Sequence, residues 1–228
     1  LPKNMTKITN TKKRLNRIRK LLRKRKNKTT TTTTTKSTTK RKEEEIKPRK
    51  MNLLEAIKNK HNKMIEKILE TTENTKEQLN KEDYLGRTPI AHAVRNGMGE
   101  LVKELINLGA DVTKASRHGE APLYWATIMN KKETAEILIK GGAEVDQENI
   151  YGETPLLKAV TYDYIEIINT LMQHGADPTK EAKNKKNALQ KAIEKKHRKA
   201  LEIMIQYNPA VVFKTNHLNE SLLHEILH

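Results

Sequence analysis

Apolar residues between positions 51 and 228 recur every three to four residues within short segments, the spacing that gives a helix one buried face. These segments come in pairs. IAHAV at 90–94, for example, precedes a polar turn and then LVKELI at 101–106. About ten residues of mixed character separate each pair from the next. The pattern predicts an all-α chain of helix–turn–helix units, each followed by an extended hairpin loop.

Individual residues keep the same register from one helix pair to the next. The spacing is 33 residues for Gly86, Gly119 and Gly152; for Pro89, Pro122 and Pro155; for Ala93, Ala126, Ala159 and Ala192; and for Leu105, Leu138 and Leu171. A Gly-Ala-acid triplet recurs with the same period, at 109–111, 142–144 and 175–177. Self-similarity at such a period is typical of solenoids, in which each unit packs only on its neighbours.

The repeated residues also predict where the helices begin and end. Thr88-Pro89 and Thr154-Pro155 favour a helix start, because Thr can act as the N-cap and Pro suits the first turn. Ala121-Pro122 stands at the same place in the copy between them. The Gly of each Gly-Ala-acid triplet predicts a left-handed end to the second helix. The repeated Ala predicts close packing between first helices.

These features together resemble the ankyrin repeat. The resemblance is carried by GRTPIAHAVRNGMGELVKELINLGADV, GEAPLYWATIMNKKETAEILIKGGAEV and GETPLLKAVTYDYIEIINTLMQHGADP, at 86–112, 119–145 and 152–178. It implies an ankyrin solenoid whose hairpin tips and first helices bind partner proteins. The His that usually follows Thr-Pro-Leu in this family is replaced by Ala91, Tyr124, Leu157 and Gln190. In this family that His supports the hairpin by hydrogen bonding, so we expect these hairpins to be less rigid than those of consensus repeats.

The register divides the chain into two parts. Residues 1–50 form a basic, Thr-rich tail and linker, and residues 51–228 form the repeat domain. Within the domain we assign 51–82 as an N-terminal capping repeat, 83–115, 116–148 and 149–181 as full repeats, 182–214 as a degenerate repeat and 215–228 as a partial repeat. The degenerate repeat has Asn187-Ala188 in place of Thr-Pro and Asn208 in place of the final Gly.

The charge is divided in the same way. The 228 residues carry a formal net charge of +17. Residues 1–50 hold 20 basic and three acidic side chains, whereas residues 51–228 hold 25 of each. Residues 29–35 are seven consecutive Thr, which cannot bury a core. We therefore expect a disordered basic tail on an electrically balanced domain, which argues against a uniformly basic nucleic-acid-binding globule.

The tail contains two basic clusters within residues 12–28. They are Lys12, Lys13 and Arg14, and Arg23, Lys24, Arg25 and Lys26. Separated clusters of this kind are typical of a nuclear-import signal that binds an import receptor. The same residues could instead bind RNA or DNA phosphates, act as a mitochondrial presequence, form an amphipathic helix for an anionic membrane or a calmodulin-like groove, or remain a solvated tail. We expect an intracellular protein of the nucleus or cytoplasm.

Partner-binding residues are predicted at the hairpin tips and the adjoining first helices. They are Tyr84, Leu85, Arg87, Arg117, His118, Glu120, Trp125, Ile150, Tyr151, Glu153, Lys183 and Lys186. Apolar residues at hairpin tips have no core to fill, and Tyr, Trp and Arg are enriched at interface hot spots. Trp125 can also fill a gap between repeats, which its bulk favours. We expect a monomer that binds another protein.

No residue pattern predicts catalysis. The chain has no Cys, which excludes disulfides and thiolate sites. His224-Glu225-Ile226-Leu227-His228 matches the H-E-x-x-H zinc motif, but the same residues continue the repeat register. No apolar stretch approaches the ~18 residues needed to span a bilayer.

The sequence therefore predicts a non-enzymatic interaction scaffold without metal, cofactor, membrane span or small-molecule substrate. Two alternatives remain open. One is a nucleic-acid-associated protein whose tail binds RNA or DNA, and the other is the ankyrin part of a longer enzyme or regulatory protein.

Overall fold

The computed structural model describes residues 51–70 and 76–213. These residues contain eleven α-helices, one 3₁₀-helix and no β-strand, which confirms the all-α prediction. The predicted disordered tail with its basic clusters, the partial repeat and the H-E-x-x-H motif lie outside the described residues.

The helices alternate between first and second members of each repeat. The first helices are α1 (Leu53–Lys58), α4 (Pro89–Arg95), α6 (Pro122–Ile128), α8 (Pro155–Thr161) and α10 (Ala188–Lys195). The second helices are α2 (Asn62–Glu70), α5 (Gly99–Asn107), α7 (Lys132–Lys140), α9 (Ile165–Gln173) and α11 (Arg198–Tyr207). The short helix α3 (Lys76–Leu79) precedes the first hairpin, and the 3₁₀-helix Pro209–Phe213 follows α11.

The helix pairs stack in chain order into a solenoid. Each first helix contacts the first helix of the next pair, and α5, α7, α9 and α11 contact one another in succession. A column of fully buried alanines lies on the first helices: Ala56, Ala93, Ala126, Ala159 and Ala192, each 0 % exposed. These small side chains let the first helices pack closely, as the repeated Ala predicted.

A second column of buried side chains lies on the second helices and packs them against the first helices. Leu105, Leu138 and Leu171 are each 0 % exposed, and Met204 takes the same place in the degenerate repeat. The core is thus one continuous apolar layer that extends from the capping repeat to the 3₁₀-helix. The layer keeps the first helices and hairpins in a fixed position relative to each other.

Hydrogen bonds at the helix starts follow the predicted caps. The hydroxyl of Thr88 accepts the amide of Ala91 at 3.4 Å, and that of Thr154 accepts the amide of Leu157 at 3.2 Å. Ala121 supplies no such bond to α6. In the degenerate repeat, Asn187 and Gln190 form a reciprocal capping box, so loss of Thr-Pro does not leave α10 uncapped.

Candidate partner-binding surface

Four hairpin turns project from the first helices, with the same backbone geometry in each. In the first, the amide of Gly86 donates to the carbonyl of Asp83 at 2.9 Å, and the amide of Asp83 donates to the carbonyl of Arg87 at 3.0 Å. Equivalent pairs of bonds close the turns at 116–120, 149–153 and 182–186. Each turn therefore presents its second and third residues at the tip.

Backbone hydrogen bonds also join each tip to the next. The amides of Arg117, Ile150 and Lys183 donate to the carbonyls of Leu85, His118 and Tyr151 at 2.8, 3.0 and 2.9 Å. The fit between tips is close at Gly119, whose φ is +72° and where a Cβ would lie 2.8 Å from the Cα of Asn149. The four tips consequently form one continuous edge, which we call the tip ladder (residues 83–87, 116–120, 149–153 and 182–186).

Large apolar side chains project from this ladder into solvent. Tyr84 is 68 % exposed, Tyr151 60 % and Ile150 40 %. Leu85 is half-buried, and Arg117, His118, Lys183 and Lys186 are exposed. The tip residues predicted from the sequence therefore lie along a single edge of the solenoid.

Four of the predicted residues are already engaged within the chain. Arg87 Nε pairs with Asp83 at 3.1 Å, and Ser116 donates to Glu120 at 3.2 Å. The Glu153 carboxylate accepts from Lys158 at 2.7 Å. Lys186 pairs with Glu194 at 2.7 Å. A partner would meet these groups as parts of internal networks.

Asp83 organises the first hairpin. Its Oδ1 accepts the amides of Leu85 and Arg87 at 2.8 and 2.9 Å, and its Oδ2 accepts from Arg87 Nε at 3.1 Å and His92 Nε2 at 3.0 Å. Burial alone would raise the pKa of Asp83, but hydrogen bonds from the Arg87 amide, His92 and the Leu85 amide, with the Arg87 charge, lower it to about 2.

His92 packs beneath this hairpin as a neutral donor. Burial lowers the pKa of His92 despite the opposing effect of Asp83. Because an ionised carboxylate can only accept, the proton of the neutral imidazole lies on Nε2. His92 is thus bonded to the hairpin from one position beyond Ala91, where the family's usual His would stand.

A second polar network supports the third hairpin. Asn149 Oδ1 accepts the amides of Tyr151 and Glu153 at 2.9 and 3.0 Å, and its Nδ2 donates to the Tyr124 hydroxyl at 3.1 Å. Burial, together with the charge of Glu153, raises the pKa of Tyr124, which keeps the phenol neutral. The hairpins that His92 and Tyr124 contact are therefore held by side-chain hydrogen bonds that the sequence analysis did not predict.

Two cations lie over aromatic rings beside the first two hairpins. The Arg95 guanidinium is 4.5 Å from the centre of the Trp125 ring, and Lys58 Nζ is 5.7 Å from that of Tyr84. Trp125 is half-buried against the core, and its Nε1 has no hydrogen-bond partner among the described residues. Trp125 therefore packs between repeats and leaves part of its ring at the surface.

Lys58, Arg95 and Trp125 line a cavity of about 410 Å³ between α1, α4 and α6. We call it the first-groove cavity. Its lining residues are Lys58, Arg87, His92, Arg95, Asn96, Trp125 and Met129. The predicted site residues Arg87 and Trp125 are brought together here, whereas the tip residues of the third and fourth hairpins lie apart from it.

Sequence reasoning did not select Lys58, His92, Asn96 or Met129 as site residues. Asn96 Nδ2 donates to the carbonyl of Ile57 at 2.7 Å, so it couples α4 to the capping repeat. All four lie on or directly after first helices, outside the hairpin columns. The sequence did contain one signal for Lys58. Lys58 and Arg95 are 37 residues apart, the same offset as Ala56 and Ala93, which indicates that they occupy equivalent positions on successive first helices.

Two further properties concern residues 51–70 and 76–213 as a whole. They contain no group of three His, Asp or Glu side chains that could hold a metal ion. No helix in this part of the chain has the length and apolarity required to cross a membrane.

Comparison with known families matches the repeat domain to ankyrin repeats. A sequence profile of three consecutive ankyrin repeats matches residues 53–149 and again residues 129–216. The matches cover most of the chain and all of the helix pairs described above. No curated protein matches the chain.

Proposed function

The chain belongs to the ankyrin repeat family, whose members are generally protein–protein interaction modules, and from that premise we propose that it is a scaffold binding a partner protein through its tip ladder and first-helix groove. The mechanism is surface complementarity without chemical transformation. Ankyrin repeats are typically non-catalytic, in keeping with this role.

The observation that carries the proposal is the exposure of Tyr84, Ile150 and Tyr151 along one hydrogen-bonded edge. Exposed apolar side chains on a backbone already fixed by the ladder lose little conformational freedom on binding. Tyrosines of this kind are frequent anchors in protein interfaces. The adjoining cations and Trp125 extend the same surface into the groove.

Affinity purification with the full chain tests the proposal. We compare the wild type with a tip variant carrying Tyr84→Ala, Leu85→Ala, Ile150→Ala and Tyr151→Ala. The matched control carries Tyr162→Ala and Tyr207→Ala, which remove two tyrosines that are 51 and 41 % exposed and lie outside the four hairpins. Proteins retained by the wild type and the control but lost by the tip variant support the proposal. Identical protein sets for all three, with circular dichroism showing equal helix content, refute it.

We further propose that the two basic clusters of residues 12–28 direct the protein to the nucleus. The support is the sequence alone, with Lys12-Lys13-Arg14 and Arg23-Lys24-Arg25-Lys26 separated by eight residues. In cells, the full chain fused to a fluorescent protein is compared with a variant in which all seven residues are Ala. A control replaces Lys47, Arg49 and Lys50, basic residues outside both clusters. A nuclear fraction that falls in the cluster variant alone supports the assignment, and an unchanged fraction contradicts it.

A further inference from the structure

The first-groove cavity is cationic, although basic and acidic residues are equal in number across residues 51–228. Lys58, Arg87 and Arg95 line it, and no acidic side chain does. The nearby carboxylate of Asp83 is already committed to two backbone amides, to Arg87 and to His92. The lining therefore has an excess of positive charge that no acid of the cavity wall neutralises.

Two of these cations are available to an incoming acid. Within residues 51–70 and 76–213, no carboxylate forms an ion pair with Lys58 or Arg95, whereas Arg87 is paired with Asp83. Arg95 lies instead over the Trp125 ring and Lys58 over the Tyr84 ring. A guanidinium stacked on an aromatic face keeps the N–H groups on its edge free to bind a carboxylate. Stacking also restricts the side chain, which lowers the entropy lost on binding.

The remaining lining residues define what accompanies the charge. Trp125 and Met129 provide apolar surface, and Met129 is 38 % exposed. Cations beside apolar surface are complementary to carboxylate oxygens attached to an aliphatic chain.

We propose that the first-groove cavity binds an acidic segment of the partner protein, with Lys58 and Arg95 pairing with a Glu or Asp carboxylate while Trp125 and Met129 contact a neighbouring apolar side chain. This inference rests on the proposed scaffold function and specifies the chemistry of the partner. A volume of about 410 Å³ accommodates one or two side chains, so the cavity recognises a short motif.

The single Trp of the chain makes the cavity directly observable. Trp125 is the only Trp, so intrinsic tryptophan fluorescence of the full chain reports on this site alone. The probe is the capped heptapeptide Glu-Leu-Glu-Glu-Leu-Glu-Glu, and its control is the same peptide with Gln in place of Glu. We expect a saturable change of Trp125 emission with the acidic peptide only, and an affinity that falls at least tenfold in 0.5 M NaCl.

Charge variants then assign the binding to the cavity. Arg95→Gln and Lys58→Gln should each weaken the acidic peptide about tenfold, while Lys103→Gln, the same change on an exposed Lys of α5, should leave its affinity unchanged. Calorimetry gives the affinities independently of the fluorescence of Arg95→Gln, and urea unfolding shows that each variant is folded. Equal affinity for the Gln peptide, or unchanged affinity in both cavity variants, overturns the proposal.

The chain's own Glu43-Glu44-Glu45 is the competing occupant. If these residues filled the cavity, a Glu43→Gln/Glu44→Gln/Glu45→Gln chain would bind the acidic peptide at least tenfold more tightly, which would overturn assignment to a partner. Unchanged affinity supports it. Failure of acidic-peptide binding while the tip variant still loses its partners removes this inference alone. Loss of the tip effect refutes the scaffold function separately.

Discussion

Asp83→Asn tests the charge and the hydrogen bonds that hold the first hairpin. Asn can retain the two backbone bonds to Oδ1, because Asn149 accepts the equivalent amides in the third hairpin at 2.9 and 3.0 Å. The substitution removes the negative charge that faces Arg87 and the buried His92, and it replaces the Oδ2 acceptor of their hydrogen bonds with an Nδ2 donor. The pKa of Asp83 is about 2, compared with 3.8 for an unperturbed Asp carboxyl. That difference corresponds to about 2 kcal/mol of stability at neutral pH.

The pH dependence has a definite sign. A carboxylate with a lowered pKa in the folded state contributes its full stability above the unfolded pKa and loses it as pH falls towards the folded pKa. The charge-dependent part of the destabilisation caused by Asp83→Asn should therefore shrink from about 2 kcal/mol at pH 7 to about 1 kcal/mol at pH 3.

Urea unfolding, followed by both Trp125 fluorescence and far-ultraviolet circular dichroism, measures this difference at the two pH values. Glu82→Gln is the matched control, because it removes the same charge from the adjacent residue. Glu82 is exposed and pairs with Lys114 at 2.8 Å on the surface, so its loss should cost less than about 1 kcal/mol. A cost for Asp83→Asn that equals the control, or one that is the same at pH 7 and pH 3, would refute the electrostatic argument.

Other predictions compare equivalent positions in different repeats. Gly119→Ala places a Cβ 2.8 Å from backbone atoms of the next hairpin and should lower the free energy of unfolding by roughly 2 kcal/mol or more. Gly109 has a φ of +94° but no atom lies within 4 Å of the added Cβ, so Gly109→Ala should lower it by only about 1 kcal/mol. Urea unfolding measures both values. Thr154→Ala should lower the free energy of unfolding by about 1 kcal/mol, because the helix loses its N-cap hydrogen bond. Ala121→Thr should raise it by up to about 1 kcal/mol, because Ala121 has the same extended backbone but supplies no cap bond. A lower urea midpoint for Ala121→Thr would contradict this. Ala159→Leu forces three extra carbons into a fully buried contact between first helices and should lower the melting temperature by several degrees; an unchanged value would show that the helices can separate without cost.

The fold was largely predictable because the residues that begin, pack and end the helices recur every 33 positions. Pro89, Pro122 and Pro155 begin α4, α6 and α8 as their register required. The family resemblance rests on the same columns, and the match to ankyrin repeats confirms it. What the period cannot reveal is a contact made by residues that differ from copy to copy.

The site illustrates that limit. The positions equivalent to Asp83 are Ser116, Asn149 and Ala182, so no repeated residue marked the hairpin network. The tip residues were predicted because hairpins are exposed by construction. Lys58 and His92 were missed because their contacts depend on side chains that are distant along the sequence or that belong to a neighbouring repeat. Only the packed structure shows which side chains meet.

The hydrogen bonds between successive tips also constrain the sequence of whatever binds beside them. Packed helices lie about 8–10 Å apart, and an extended chain advances about 3.3 Å per residue. An extended segment laid across the groove would therefore pass from one repeat to the next every three residues. Because the ladder holds the tips at a constant interval, side chains three positions apart in such a segment would face equivalent places on successive repeats. A recognised motif should consequently show a three-residue period, with its acidic residue over Arg95 and its other contacts spaced from that point.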